Sequence, residues 1–282
     1  MKNGDNMDGV LLIHKEQNMT SHDVVAQLRK ILHIKKIGHS GTLDPNATGV
    51  LLVLVGRACK ALPFLEDTDK EYVATLELGK RTISDDIWMD TIEEAPIKPI
   101  EDFQKVLDNF KGKQKQVPPM ISSVRVNGRK LYEYAREGKI VERPVRDVEI
   151  YDIEAIDDEQ LKFRVSCSSG TYVRSLCHDI AKITGNLGCM SSLIRTKVGR
   201  FSLEDCVTLK DVEEGNFTLH SLSEVLSHFE MVETDKPADV FNGKQIHVNC
   251  NAEKIAVTHK GEVLAIYEHV ADDVYRCVRG LW

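Results

Sequence analysis

Gly38-His39-Ser40-Gly41-Thr42-Leu43-Asp44-Pro45, continued by Asn46-Ala47-Thr48-Gly49, is the stretch of this chain best suited to chemistry. Three glycines and a proline within twelve residues hold the backbone on an unusual path. Asp44 is kept extended, because a residue before proline avoids the helical region. A carboxylate fixed in this way, between two apolar elements, could act on a bound molecule. The same residues would also make an ordinary Asp-Pro turn with a hydrogen-bonding His and Thr. The segment is not a phosphate loop, since the glycine spacing is wrong and no Lys-Ser/Thr follows. Arg174 and Tyr72 also stand out by type and position. Arg174 falls on a helix opened by Ser169-Gly170-Thr171, where a guanidinium either grips a carboxylate or makes a plain surface ion pair. Tyr72 lies on an alternating strand, with Ala74, Leu76 and Leu78 on the same face, as a pocket wall or a core aromatic.

These residues need a scaffold. Asp8 to Lys15 has the pattern of a buried strand. Thr20, with Asp23 three residues on, forms a capping box for a helix whose stripe is Val24, Val25, Leu28, Ile31 and Leu32. A loop over 38–48 leads to the apolar strand Val50–Val55. Arg57 to Leu65 is expected to be helical, and Ile100 to Phe110 to be an amphipathic helix that Pro118-Pro119 prevents from continuing. Asn127-Gly128 marks a tight turn. Val145–Ile150 and Leu161–Cys167 are strands, and the helix after Thr171 ends at Gly185. Strand neighbours come in hairpin-like pairs without a regular βαβ rhythm. The fold class is therefore α+β, with a mixed, largely antiparallel sheet and flanking helices. Residues from about 205 to 237 are expected to be helical, and Val240 to Trp282 to form a small separate β domain. The boundary divides a catalytic domain, 1–234, from a C-terminal domain, 235–282.

The chain has 282 residues, 42% hydrophobic and 29% charged, an ordinary globular composition. No window approaches the roughly 18 apolar residues of a membrane helix. Met1 to Asp8 is polar and acidic, unlike a secretory signal. The net charge is −7, but it is unevenly spread. Residues 203–282 hold 15 acidic and 7 basic side chains, and the rest of the chain holds 29 and 30. Local basic clusters, such as Arg125, Arg129 and Lys130, leave room for a footprint on a polyanion. The seven cysteines contain no CxxC pair, and the ten histidines have no paired ligand spacing. A reducing, cytoplasmic setting is expected, with no membrane partner and no metal.

The motif Gly-His-x-Gly-x-Leu-Asp-Pro-x-Ala-Thr-Gly resembles the catalytic motif of the TruB family, the bacterial tRNA pseudouridine-55 synthases. Asp69-Lys70-Glu71-Tyr72, Pro118-Pro119 through Tyr134-Ala135-Arg136, and Ser169 to Arg174 match further family blocks in the same order. The resemblance covers roughly residues 9–200, with a looser match to the family's small, PUA-like C-terminal domain. It implies isomerisation of a uridine in the T loop of tRNA, without cofactor or metal. The C1′–N1 bond breaks, the uracil turns over, and C5 bonds to C1′.

Asp44 matches the family's nucleophile, adding either at C1′ or at C6. An ionised carboxylate in a poorly hydrated pocket needs a fixed cation beside it, and Arg174 matches that partner. Tyr72 matches the tyrosine that stacks on the target base. His39 matches the residue that fills the space left in the RNA stack when the base is extruded. Tyr172 and Leu193 match positions lining the uridine pocket, and Asp86 matches an aspartate that contacts the RNA. Lys15, Arg125, Arg129 and Lys130 are expected as phosphate contacts. The chain departs from the family at Lys15-Glu16-Gln17-Asn18-Met19-Thr20-Ser21, where Lys-Pro-x-Gly is usual. Asn18 must then supply any left-handed residue.

The resemblance points to a monomeric enzyme acting on the T arm of tRNA, with the C-terminal domain as a docking aid. A non-catalytic RNA-binding or RNA-folding protein on the same scaffold is the rival. It gains nothing from a carboxylate near phosphates. A carboxylate-based hydrolase lacks a second carboxylate at recognisable spacing.

Overall fold

The strand over Thr48–Val55 is buried from Gly49 onward, so it must be covered on both faces. In the computed structural model, which describes residues 7–65 and 68–282, two different cores provide that cover. Val50, Leu52 and Leu54 pack on one side with Val10 and Leu12. Leu51, Val53 and Val55 pack on the other with Leu11, Ile13, Val24, Val25 and Leu28. Alternation at period two thus serves two cores at once, which is why the run looks uniformly apolar. Residues 1–6 of the polar amino-terminal stretch lie outside the described residues.

In chain order, β1 (Gly9–Lys15) leads to α1 (Ser21–Leu32), β2 (Ile37–Ser40), β3 (Thr48–Val55), a 3-10 helix over Gly56–Phe64, and β4 (Lys70–Leu78). A hairpin of β5 (Lys80–Thr82) and β6 (Thr91–Glu94) precedes α2 (Phe103–Asp108) and β7 (Gly112–Gln116). A second hairpin, β8 (Arg125–Val126) and β9 (Arg129–Lys130), runs into α3 (Leu131–Arg136). Next come β10 (Arg146–Asp157), β11 (Lys162–Cys167), α4 (Val173–Ile183), β12 (Gly188–Val198) and β13 (Phe201–Ser202). The chain closes with α5 (Leu209–Glu213), α6 (Leu222–Val225), β14 (Glu230–Glu233), α7 (Pro237–Phe241), β15 (Ile246–His247), β16 (Lys254–His259), β17 (Glu262–Ala271) and β18 (Val274–Gly280).

A nine-stranded sheet follows the order β1-β3-β12-β4-β11-β10-β7, with β2 on β3 and β13 on β12. Among the described strands, its pairing is antiparallel except where β12 lies beside β3. The expected α+β class and mixed sheet hold. The capping box is formed, with Thr20 Oγ1 accepting from Asp23 N and Asp23 accepting from Thr20 N. Asn18 has φ 62° and takes the left-handed position left by the missing glycine. Asn127 and Gly128, at φ 50° and 81°, make the tight turn between β8 and β9. No helix among the described residues is long and apolar enough to cross a membrane.

Several expectations are corrected. The loop over 38–48 starts as strand β2, which adds to the edge of β3 and carries His39. The helix over 100–110 contracts to α2, because Asp102 caps it by accepting from Lys105 N. The segment 205–237 is not one helix. It holds two short helices and then β14, which pairs in parallel with β16. The five-stranded C-terminal sheet, β14-β16-β17-β18-β15, therefore starts at Glu230, ahead of the expected boundary.

That C-terminal sheet does not stand apart. Ala256, Val263, Ile266 and Leu281 belong to the same buried cluster as Val10, Leu52 and Leu54. The larger three side chains are worth about 1.5–3 kcal/mol each, a substantial part of a domain's net stability. A chain truncated after Thr234 is expected to lose its cooperative melting transition, followed by circular dichroism. A truncated chain that melts at the full-length midpoint would show that the two sheets fold independently.

Candidate active site

The loop between β2 and β3 is shaped by its two ends. Gly41 has φ 71° and Gly49 has φ 113°, conformations that glycine adopts without strain. A Cβ on Gly49 would lie 2.2 Å from the carbonyl oxygen of Arg195, so β3 can approach β12 only through glycine. Arg195 then ties the two ends together. Its Nη2 donates to Gly41 O at 2.9 Å, and its Nε donates to Val50 O at 2.8 Å. From below, Lys15 Nζ donates to Pro45 O at 3.0 Å, and to Glu16 O and Met19 O. Leu43 is buried, and its N–H donates to Ser21 Oγ at the start of α1. Asp44, between these anchors, is left facing a cavity of about 930 Å³.

Arg174 reaches Asp44 from the first turn of α4 and is 5% exposed. The grip is two-pronged: Nε lies 3.0 Å from Oδ2, and Nη2 donates to Oδ1 at 3.2 Å. Its remaining donors go to Ser84 O and Ile121 O, each at 3.0 Å. Nη1 also lies 3.6 Å from Asp86 Oδ2. The guanidinium thus has acceptors all round its plane, as a buried cation requires.

Tyr72 and Leu193 sit side by side in one buried cluster, and both line the cavity. Tyr72 lies opposite Arg195 in the β4–β12 register, and the charge of that guanidinium acts on its phenol. Burial pushes that phenol up from its ordinary pKa, so the hydroxyl is neutral at physiological pH. Tyr172 lines the cavity just ahead of α4. Gln116 pins its backbone by accepting from its N–H and donating to its carbonyl. His39 lies at the rim, edge-on to His22 with ring centroids 5.3 Å apart. Its Nδ1 is buried without a partner.

Lys15 is fully buried, and three carbonyls surround its ammonium, so it props up the Asp44 loop instead of meeting phosphate. Asp86 is 6% exposed and accepts from Ser84 Oγ and Trp88 N, so it braces Arg174 and does not line the cavity. Burial pushes its carboxyl above the usual range, opposed by the Ser84 hydroxyl and by Arg174. Arg125, Arg129 and Lys130 sit on the β8–β9 hairpin outside the cavity wall. Arg129 is paired with Glu137 and lies over the ring of Tyr134. Sequence reasoning missed Arg195, the staple of the loop. β12 mixes serines, Thr196 and Lys197 with its apolar residues, so nothing in the sequence pattern marked it out. No three His, Cys, Asp or Glu side chains gather as a metal site among the described residues.

A family model described as "TruB family pseudouridylate synthase (N terminal domain)" matches residues 29–173. A second, "tRNA pseudouridylate synthase B C-terminal domain", matches residues 174–232. The chain belongs to the TruB family. It is 44% identical to the tRNA pseudouridine synthase B of Bacillus cereus over 286 residues, covering 93% of each chain. With the enzyme of that name from Oceanobacillus iheyensis it shares 40% over 281 residues, again 93% of each. Among solved structures, it is similar to a chain of a Cbf5-Nop10-Gar1 complex at 27% identity and a TM-score of 0.72, covering 94% of this chain and 79% of that one. A chain of an H/ACA RNP bound to a substrate RNA containing 2'-deoxyuridine shares the fold, with a TM-score of 0.73 at 24% identity, covering 97% and 85%.

The TruB motif histidine carries a pH signature. Burial holds His39 down to about 4, with the neighbouring His22 and Arg195 adding to the effect. An unfolded chain takes up this proton near pH 6.5, whereas the folded site refuses it until about pH 4. Stability from this group is therefore complete above pH 6.5 and is lost as the pH falls through that window. A His39→Gln variant is expected to show a shallower fall in melting temperature between about pH 6.5 and 4.5 than the wild type. Equal slopes would mean that the His39 ring is solvated.

Proposed function

We propose that this pocket isomerises uridine 55 in the T loop of tRNA to pseudouridine, with Asp44 as the nucleophile. The observation that carries the proposal is the two-pronged Asp44–Arg174 pair beside Tyr72 in an open cavity. The chain is a tRNA pseudouridine synthase, as its relatives over 93% of its length are. An isomerase of this kind needs a nucleophile that stays ionised in a pocket large enough for an extruded base. Arg174 supplies the fixed positive charge that offsets desolvation of the carboxylate.

Asp44 adds to the flipped nucleotide, at C1′ of the ribose or at C6 of the base. The C1′–N1 bond breaks, the uracil rotates within the pocket, and C5 bonds to C1′. The proton on C5 then leaves, and Asp44 is released unchanged. Tyr72 packs its ring on the base while Leu193 and Tyr172 limit where the uracil can turn. The Tyr72 phenol, neutral and opposite Arg195 across the sheet, can shuttle the C5 proton. His39, neutral at physiological pH, is a flat ring at the rim that can replace the base in the RNA stack. All these groups come from one chain, consistent with a monomer acting on the T arm. Arg125 and Lys130, on the β8–β9 hairpin, serve the RNA backbone beyond the cavity. The C-terminal sheet, expected as a docking module from residue 235, contributes to the catalytic unit's core as well as to docking.

Asp44→Asn keeps the side chain's size but removes its charge and its nucleophilicity. Pseudouridine formation in tRNA, read by mass spectrometry or carbodiimide mapping, is expected to fall by on the order of a thousandfold or more. The melting temperature should stay within a few degrees of the wild type. Arg174→Lys is expected to lose on the order of a hundredfold, since lysine cannot reproduce the planar fork. Turnover above about one per cent of wild type in a folded Asp44→Asn preparation would remove Asp44 from the nucleophile's role.

A further inference from the structure

The His39 ring leans on a side chain from outside the motif loop. Its Nε2 lies 3.4 Å from Nδ1 of His22, the second residue of α1. The ring planes are 81° apart and their centroids 5.3 Å apart. His22 therefore meets His39 at a ring nitrogen and leaves its face uncovered. His39 Nδ1 is buried with no hydrogen-bond partner among the described residues. Burial keeps this ring neutral at physiological pH, and a neutral imidazole carries one N–H. On Nδ1 that hydrogen would be a buried donor without an acceptor, which costs free energy. On Nε2 it donates to His22 Nδ1. The contact thus sets the tautomer: His39 donates, and His22 accepts while keeping its own N–H on Nε2.

His22 is itself firmly placed, although its side chain is exposed. The Thr20–Asp23 capping box closes around it. Beside it, Ser21 is fully buried, accepts from Leu43 N at 3.0 Å and donates to Leu43 O at 3.4 Å. The first turn of α1 is therefore joined to the residue before Asp44 as well as to His39. We propose that His22 is a positioning residue for the isomerisation, holding the His39 ring in the orientation and tautomer with which it replaces the extruded uracil. The proposal rests on the reading of His39 as the group that fills the RNA stack. His22 touches no reacting atom. It removes an ordering step, because a ring free to rotate would have to be fixed when RNA binds. One helix end then aligns both the nucleophile's loop and the ring that keeps the base out.

The test measures pseudouridine formation in T-arm RNA by the full-length chain, with the melting temperature of each variant as the control for folding. His22→Ala is expected to lower kcat/KM about three- to tenfold, the worth of one hydrogen bond, and to melt within a few degrees of the wild type. His22→Asn sets an amide oxygen near the place of Nδ1 and is expected to recover most of that loss. His22→Phe keeps a ring without the acceptor and is expected not to. His39→Ala should cost at least as much as His22→Ala, and the double variant no more than His39→Ala alone. Multiplying losses in the double variant would overturn the positioning role, as would full activity in His22→Phe. A loss from His39→Ala with none from His22→Ala would overturn it while leaving the stack-filling reading intact. No loss from either variant, with the wild type still forming pseudouridine, would overturn both.

Discussion

A charged guanidinium buried at the junction of four segments is the constraint on which this structure turns. Arg174 cannot stay where it is unless every one of its N–H groups finds an acceptor, because an unpaired buried charge costs several kcal/mol. The acceptors come from far apart in the chain: Asp44 on the β2–β3 loop, Ser84 and Asp86 after β5, and Ile121 before the β8–β9 hairpin. Satisfying the cation therefore assembles the pocket. The same contacts keep Asp44 from turning away, so its orientation is set before any ligand arrives and its reorganisation cost is already met in folding.

Arg195 solves a similar problem differently. It too is buried, but its guanidinium rests on two backbone carbonyls, with Tyr72 opposite it in the sheet. Carbonyl dipoles stabilise a cation without giving up a carboxylate, so Asp44 remains the one acid among the described residues that line the cavity. The result is a positively charged hollow in a chain whose net charge is −7. Local sign governs encounter with a polyanion, whereas the acidic C-terminal third acts over distances that salt screens.

Much of the site was legible because its signals are local. The Asp44 motif, the Thr20–Asp23 box, the left-handed Asn18 and the Asn127-Gly128 turn each depend on a few adjacent residues. Arg174 was legible through the short block that opens α4. What escaped was set by distant partners. β12 has no clean alternation, since it lies between β3 and β4 and changes register twice. Lys15 carries a charge that in sequence signals a surface, yet three carbonyls draw it inside. Asp86 resembles a ligand-facing acid until Arg174 is seen behind it. The start of the C-terminal sheet was misplaced because β14 is defined only by pairing with β16.

The shared core of β1, β3 and the C-terminal sheet has a consequence for how the molecule comes into being. β1 is translated well before the C-terminal sheet that covers it. Its edge bonds His220 through both backbone groups of Val10, and Ile13 bridges Val207. Its apolar face is closed by Ile266 and Leu281. A nascent chain must therefore carry a strongly apolar strand uncovered from Val10 until Leu281 has been made. At about 5–20 residues per second, that exposure lasts on the order of tens of seconds. During that interval the unfinished edge is a template for mispairing, and Ile266 and Leu281 are the residues that close it.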